Sequence, residues 1–320
     1  METNHILGID VGKEELVIFD NSSGRTLTSA NDEKALTSLI KESEWKSDIC
    51  QVGIESTGDY SFLAMKIFLR AGFTVKLINP IITKQIISST IRGKKTDKSD
   101  AEAIAKIIQL GEGHVVNEQT LDTAQKTLLR LERKLTSIKS DLKRIAGSLQ
   151  MKSDNGVNLD KAKIEVDQLV KEIEERISNI WDLAKSKGTT RQEEIISSHI
   201  GCGDKLSKII SEEAGDLKRF PSAKQFKAYA GIDPKVIQSG QMDVRGKMTK
   251  RGNPVLRHAL FLAAFVASRY DPDLKAYYEK KRAEGKSHIH AVCTVSRKMC
   301  ERIYATVIKD RLYQPNIAKT

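Results

Sequence analysis

The residues of this chain best suited to chemistry are four carboxylates, Asp10, Glu55, Asp97 and Asp100. Asp10 closes the apolar run Ile6-Leu7-Gly8-Ile9, and Glu55 closes Val52-Gly53-Ile54. Asp97 and Asp100 stand three apart at the mouth of a helix, in Thr96-Asp97-Lys98-Ser99-Asp100, and that spacing places both on one helical face. An acid ending an apolar strand near a sheet interior is costly unless it is paired or bound to metal. Two strand-end acids converging on a helical pair would cage a hard divalent cation, because Mg²⁺ takes carboxylate oxygens and keeps some of its waters. A plainer reading of Asp97 stays open beside this one: with Thr96 as N-cap, it complements the positive end of the helix dipole.

The elements that must position these acids follow from patterning. Strands are expected at Ile6 to Val11, Glu15 to Asp20 and Arg25 to Ser29, with turn signals at Gly12-Lys13 and Asn21-Ser22-Ser23-Gly24. A helix from Asp32 to about Ser43, a strand ending at Glu55, a helix from Asp59 to Ala71 and a strand from Thr74 to Ile78 complete the order βββαβαβ, an α/β domain on a mixed sheet. Farther on, Leu128, Leu131, Leu135, Ile138, Leu142, Ile145 and Leu149 alternate intervals of three and four, the a/d seam of a long coiled-coil helix. Ser153-Asp154-Asn155-Gly156 breaks it, and Val166, Leu169, Ile173, Ile177 and Ile180 resume a helical stripe. Such a pair either buries its seam as an intramolecular hairpin or joins a second protomer. Residues between Leu183 and Arg191 read as the linker that follows. The expected division is an N-terminal domain over 1–112, a helical coiled-coil middle over 113–188 and a mostly α-helical domain over 189–320.

At 320 residues the chain is long enough for an enzyme of two cores with a connecting element. The net charge is +11, and from Val244 onward there are 17 Lys or Arg against 6 Asp or Glu, so the final quarter carries the whole excess. A basic region beside a cluster of acids points to a polyanion held by one part and cut or joined by metals held in another. Cys50, Cys202, Cys293 and Cys300 are scattered, with neither zinc spacing nor a disulfide framework, which fits a reduced cytoplasmic setting. The start shows no charged leader before an apolar core, and no stretch approaches the ~18 apolar residues of a membrane span. No Gly-x-Gly-x-x-Gly follows the first strand, which argues against a dinucleotide fold.

The strand order, with acids after the first and fourth strands and more on a late helix, resembles the RNase H and RuvC-like nuclease fold, in which acids bind two Mg²⁺ ions flanking a scissile phosphate. Downstream, Ile200-Gly201-Cys202-Gly203-Asp204 resembles the turn of helix-hairpin-helix modules, where the amides of Gly201 and Gly203 would approach a phosphate; a plain connecting turn is the alternative. Tyr229-Ala230-Gly231-Ile232-Asp233-Pro234 then leads to Gln238-Ser239-Gly240 and to Lys250-Arg251-Gly252-Asn253-Pro254. Together with the acids, these blocks closely resemble the DEDD transposases of the insertion-sequence one-ten family and the related Piv invertases, over nearly the whole chain. Asp10, Glu55, Asp97 and Asp100 match the family acids, Ser239 its catalytic serine, and Lys250 to Asn253 its basic block. Asp233 departs from it, standing where a smaller or apolar residue is usual.

The resemblance implies a transposase working on donor and target DNA with Mg²⁺, a two-metal site and a serine-DNA phosphodiester intermediate. It also implies a noncoding bridge RNA as guide, and a homo-oligomer, dimer to tetramer, with composite sites. Lys250, Arg251 and Arg257 would neutralise phosphate charge, or belong to a solvated basic loop. Two other functions stay open: a RuvC-like metal-dependent junction endonuclease that uses water in place of Ser239, and a non-catalytic nucleic-acid-binding protein.

Overall fold

The structure, a computed structural model, describes residues 5–55, 60–78, 80, 83, 96–116, 124–239 and 242–315, with backbone alone over 235–239 and 242–247. The chain divides into two compact units, Met1–Asp122 and Thr123–Thr320.

The first unit is built on strands β1 (His5–Val11), β2 (Glu15–Asp20), β3 (Arg25–Ala30), β4 (Cys50–Glu55), β5 (Thr74–Ile78) and β6 (His114–Val116), with helices α1 (Glu33–Glu42), α2 (Ser61–Arg70) and α3 (Asp97–Gln109). The sheet runs β3-β2-β1-β4-β5-β6. Pairing is antiparallel through the opening meander and at β6, and parallel from β1 to β4 to β5. A strand's side chains alternate between faces, and here the alternation sorts two cores. Leu7, Ile9, Val52, Ile54 and Val75 pack with Leu36 of α1 and Phe68 of α2. Ile6 and Ile78 pack instead with Ile104, Ile107 and Ile108 of α3. Asp10 shares the parity of Ile6, and Glu55 that of Gly53, so both acids belong to the α3 face.

The second unit starts with helices α4 (Ala124–Asp154) and α5 (Asp160–Lys185). They fold back as an antiparallel hairpin: Gln125 donates to the Ala184 carbonyl at 2.8 Å, Lys143 pairs with Glu174 at 2.8 Å, and Ser153 donates to Asp160 at 2.8 Å. The expected seam is split by this arrangement. Leu128, Leu135, Leu142 and Leu149 are half-buried, whereas Leu131, Ile138 and Ile145 are 46%, 38% and 48% exposed. Glu132 is buried, and with Lys139 and Ala146 it occupies the inward a-type positions in their place. The helical remainder is α6 (Arg191–Ser197), α7 (Asp204–Ala214), a single 3₁₀ turn Leu217–Arg219, α8 (Ala223–Ala230), α9 (Pro254–Tyr270), α10 (Pro272–Ala283) and α11 (His288–Ile308). Its core gathers Ile210, Phe226, Leu256, Leu260, Val292, Val295 and Ile303. Within this mostly helical region, β7 (Pro234–Ser239) and β8 (Met242–Met248) form an antiparallel two-stranded ribbon that is not expected from the sequence. No helix among the described residues is long and apolar enough to cross a membrane.

Candidate active site

In the first unit two glycines decide where the acids go. Gly8 of β1 lies opposite Gly53 of β4 in the parallel register. A Cβ on Gly8 would stand 2.1 Å from the Ala101 carbonyl oxygen, and one on Gly53 would stand 2.5 Å from the Ile108 side chain. At Gly8 the backbone of α3 rests directly on β1 and excludes any larger residue, while at Gly53 the Ile104 and Ile108 side chains of α3 fill the space a side chain would need. Two residues farther along the same strands and on the same face come Asp10 and Glu55. Their preceding residues, Ile9 and Ile54, are register partners, so the two acids follow side by side. Asp100 adjoins Ala101, the residue seated on Gly8.

The start of α3 is fixed by a capping box. The Thr96 hydroxyl accepts from the Ser99 amide at 3.2 Å, and the Ser99 hydroxyl accepts from the Thr96 amide at 3.0 Å. The cap explains why the helix begins at Asp97, and with it both acids fall in the first turn, Asp97 exposed and Asp100 buried. The four expected acids are thus collected on one face of the sheet, two on strand ends and two on the helix docked beside them. They are not closed into a cage: among the described residues no three or more His, Cys, Asp or Glu are grouped so as to hold a metal ion. The donor set itself, all carboxylate oxygen, fits a hard divalent cation.

The second unit has a hub that pattern reading missed, Glu213 of α7, 2% exposed. Arg130 of the hairpin donates to its carboxylate through Nε at 2.8 Å and Nη2 at 3.1 Å, and the Asn253 amide donates to it at 2.7 Å. Its backbone carbonyl accepts from the Tyr229 hydroxyl at 3.1 Å. Burial alone would raise its pKa, but the hydrogen bonds from Arg130 and Asn253, with the charges of Arg130 and Lys126, hold it below the usual glutamate value. One carboxylate so joins the tyrosine block, the Lys-Arg-Gly-Asn block and the hairpin. The two blocks also interlock through backbone: a Cβ on Gly252 would meet the Tyr229 carbonyl at 2.4 Å, and Gly231 takes a left-handed φ of +68°. Asn253 accepts from the Val255 and Leu256 amides at 2.9 and 3.1 Å, and with Pro254 at the first helical position it sets the start of α9.

Between these blocks runs the ribbon. Ser239 is the last residue of β7, paired with Met242, and its backbone stands at the far end of the ribbon from Pro234 and Met248, which lie beside the interlocked blocks. Ser239 and the four acids belong to different compact units. Of the basic residues, Lys250 is exposed with a left-handed φ of +54°. Arg251 is exposed, and Arg257 is half-buried, its Nη1 donating to the Ala230 carbonyl at 3.3 Å. The glycine turn divides. Gly201, at φ +97°, would bring a Cβ within 2.3 Å of the Ala263 carbonyl, so packing on α9 accounts for glycine there. Gly203 is exposed at the N-cap of α7.

Comparison with known proteins matches residues 7–152 to a DEDD transposase model and residues 193–279 to the Transposase IS116/IS110/IS902 family. The first match contains all four acids, the second Glu213, Ser239 and the basic block. Among relatives, the 42 kDa protein of insertion element IS900 from Mycobacterium paratuberculosis is 33% identical over 39% of this chain and 32% of its own length. The 43.6 kDa protein of insertion element IS110 from Streptomyces coelicolor is 31% identical over 38% of this chain and 30% of its own. These matches span about a third of those relatives. A pilin gene-inverting protein of Moraxella bovis is 24% identical over 97% of this chain and 98% of its own length.

Proposed function

Because the chain belongs to the IS116/IS110/IS902 transposase family, we propose that it is the recombinase of an insertion sequence, breaking and rejoining DNA through a serine-linked intermediate with divalent metal bound at its acids. The observation that carries this reading is the docking of α3 on the register-matched Gly8 and Gly53, which collects Asp10, Glu55 and Asp100 on one face of a mixed sheet. That sheet, with an antiparallel meander followed by parallel strands, supports a RuvC-like first unit.

Asp10, Glu55, Asp97 and Asp100 would hold Mg²⁺, in a two-metal arrangement. When bound, it would neutralise phosphate charge and lower the barrier at phosphorus. The covalent step belongs to the chain. The Ser239 Oγ attacks phosphorus and gives its proton to a carboxylate, the bond from phosphorus to the departing sugar oxygen breaks, and a proton passed on from the protonated carboxyl lets that oxygen leave as a hydroxyl. Attack by the hydroxyl of a second strand reverses these bonds and restores the serine. Lys250, Arg251 and Arg257 would neutralise phosphate charge of the bound nucleic acid away from the serine.

The partners proposed are donor and target DNA and a noncoding guide RNA. A basic C-terminal quarter without a base-reading motif suits a protein that holds backbone while RNA pairing reads sequence. Self-association, from dimer to tetramer, is supported by the exposed ridge Leu131, Ile138 and Ile145, a heptad-spaced apolar line that the hairpin leaves open. A second reading, a junction endonuclease using water, is favoured by the placement of all four acids in one unit without Ser239. The experiment is cleavage of element-end DNA with Mg²⁺: the proposal expects strand breakage that EDTA and Asp10→Ala each abolish. Breakage that survives both would sink it.

A further inference from the structure

Within the second unit lies a cavity of about 1260 Å³, larger than the ~300–1,000 Å³ of a typical small-ligand pocket. Its walls come from the hairpin, the feet of the ribbon, α9, α10 and α11. Six cations line it, Arg133, Lys250, Arg257, Lys281, Lys286 and Arg297, and among the described residues no Asp or Glu does. Glu284 pairs with Lys281 at 2.7 Å and lies 3.7 Å from Lys286. Arg133, Lys250, Arg257 and Arg297 form no ion pair with a carboxylate among the described residues. Arg297 Nε is buried without a hydrogen-bond partner among the described residues. Glu284 partly offsets Lys281 and Lys286, and Asp233 lies within electrostatic reach of Arg297, so the cations outnumber the nearby described acids and are held at an electrostatic cost that an anionic ligand would relieve.

The remaining lining is just as specific. Phe261 and Tyr277 offer aromatic surface, with Lys281 Nζ 5.4 Å from the Tyr277 ring centre, and His258 and His290 add two imidazole rings. Cations interleaved with flat rings match a strand whose bases are unpaired, since phosphates meet the cations and each base presents a face to stack. A duplex offers phosphates outside and hides those faces.

We infer that this cavity binds a short unpaired nucleic-acid strand, phosphates on Arg257, Lys281, Lys286 and Arg297 and bases against Tyr277 and Phe261. The inference rests on the nucleic-acid role proposed above and adds to it a second contact region, distinct from the serine at the ribbon tip. A single strand of either sugar carries the recognised chemistry, so DNA and RNA are separate arms of the test.

Fluorescence anisotropy of the full chain with labelled eight-residue oligo(dT) and oligo(U), and with a duplex, supplies the test. Expected is binding of at least one single strand more tightly than duplex, weakened roughly tenfold or more by Lys281→Glu with Lys286→Glu, with a shallower salt dependence. The exposed pair Lys275→Glu with Lys280→Glu on α10, outside the lining, should change affinity less than twofold. Tyr277→Leu keeps the charges and should weaken oligo(dT) more than an abasic strand of the same length; melting curves establish that each variant folds. Unchanged affinity in the Lys281/Lys286 variant, equal loss in the Lys275/Lys280 variant, or duplex binding as tight as single-strand binding overturns the inference. If that occurs while Ser239→Ala still abolishes the covalent adduct, the cavity fails and the recombinase reading stands. Single-strand binding that behaves as expected, in a chain that forms no adduct, upholds the cavity and removes the serine chemistry.

Discussion

Glu213 is a carboxylate at 2% exposure whose oxygens accept three charged or amide donors, so its replacement leaves Arg130 and Asn253 unsatisfied. Because Glu213 is buried but the Arg130 side chain is 44% exposed, losing these hydrogen bonds costs ~1–3 kcal/mol, and Glu213→Ala should lower thermal stability accordingly while Glu194→Ala, exposed on α6, should not. Titration follows from the same physics. A depressed carboxylate stabilises the fold above its unfolded value and loses that contribution as pH falls through the folded one. Asp20 illustrates the range: burial raises its pKa, but hydrogen bonds from Ser22, Ser23 and Trp45 outweigh this and carry it down to about 2. Its contribution is present above the usual 3.8 and disappears between there and about 2. His199 behaves differently. Burial, with Arg302 nearby, lowers it to about 4, so it stays neutral folded while the unfolded chain protonates below 6.5. At ~1.4 kcal/mol per pKa unit, up to roughly 3 kcal/mol of stability is lost as pH falls from 6.5 to about 4. An acid melt followed by the His199 ring protons checks this; retention of full stability at pH 4.5 would contradict it. No periodicity announces Glu213 or His199, because a buried polar residue is recognised only by partners far away in sequence. The strand-end acids were legible because an apolar run stopped by an acid is a local event.

At the scale of elements, the strands and first helices were readable to within a residue or two. Asp32 and Ser43, for example, prove to be the caps of α1. Capping and alternation are local chemistry, and the sheet needs little else. The hairpin was readable as two helices but not in its rotation. Seven apolar residues at intervals of three and four suit a seam, yet burial of Glu132 against Lys205 and pairing of Lys139 with Glu174 turn the helix so that Leu131, Ile138 and Ile145 face outward. Long-range ion pairs set that rotation, and nothing in the heptad pattern encodes them. The ribbon carrying Ser239 escaped notice because Gln238-Ser239-Gly240 reads as a loop when its pairing strand is not considered. Two variants separate the roles. Leu135→Ala with Leu142→Ala should destabilise the hairpin by ~1–2 kcal/mol per site, since both leucines are half-buried. Leu131→Ser, Ile138→Ser and Ile145→Ser together should leave helicity and melting nearly unchanged but shift sedimentation toward the single chain. An unaltered sedimentation coefficient would remove the ridge from self-association.

For the whole molecule, two compact units divide the proposed chemistry: the acids proposed to hold metal in one, the proposed serine nucleophile and the cationic cavity in the other. The proposed reaction needs both on one phosphate, supplied by one chain or by two copies of it. Charge is divided too, since the whole +11 resides in the C-terminal quarter. Nucleic-acid affinity should therefore fall steeply with salt, with log K declining by ~0.7–0.9 per phosphate contacted for each tenfold rise in salt, whereas Asp10→Asn should leave that slope unchanged. The decisive measurement is a denaturing gel after incubation with a nicked suicide substrate carrying the element junction. The account predicts a covalent protein–DNA adduct that requires Mg²⁺, disappears in Ser239→Ala and disappears in Asp10→Ala. Normal cutting and strand exchange by Ser239→Ala would contradict it.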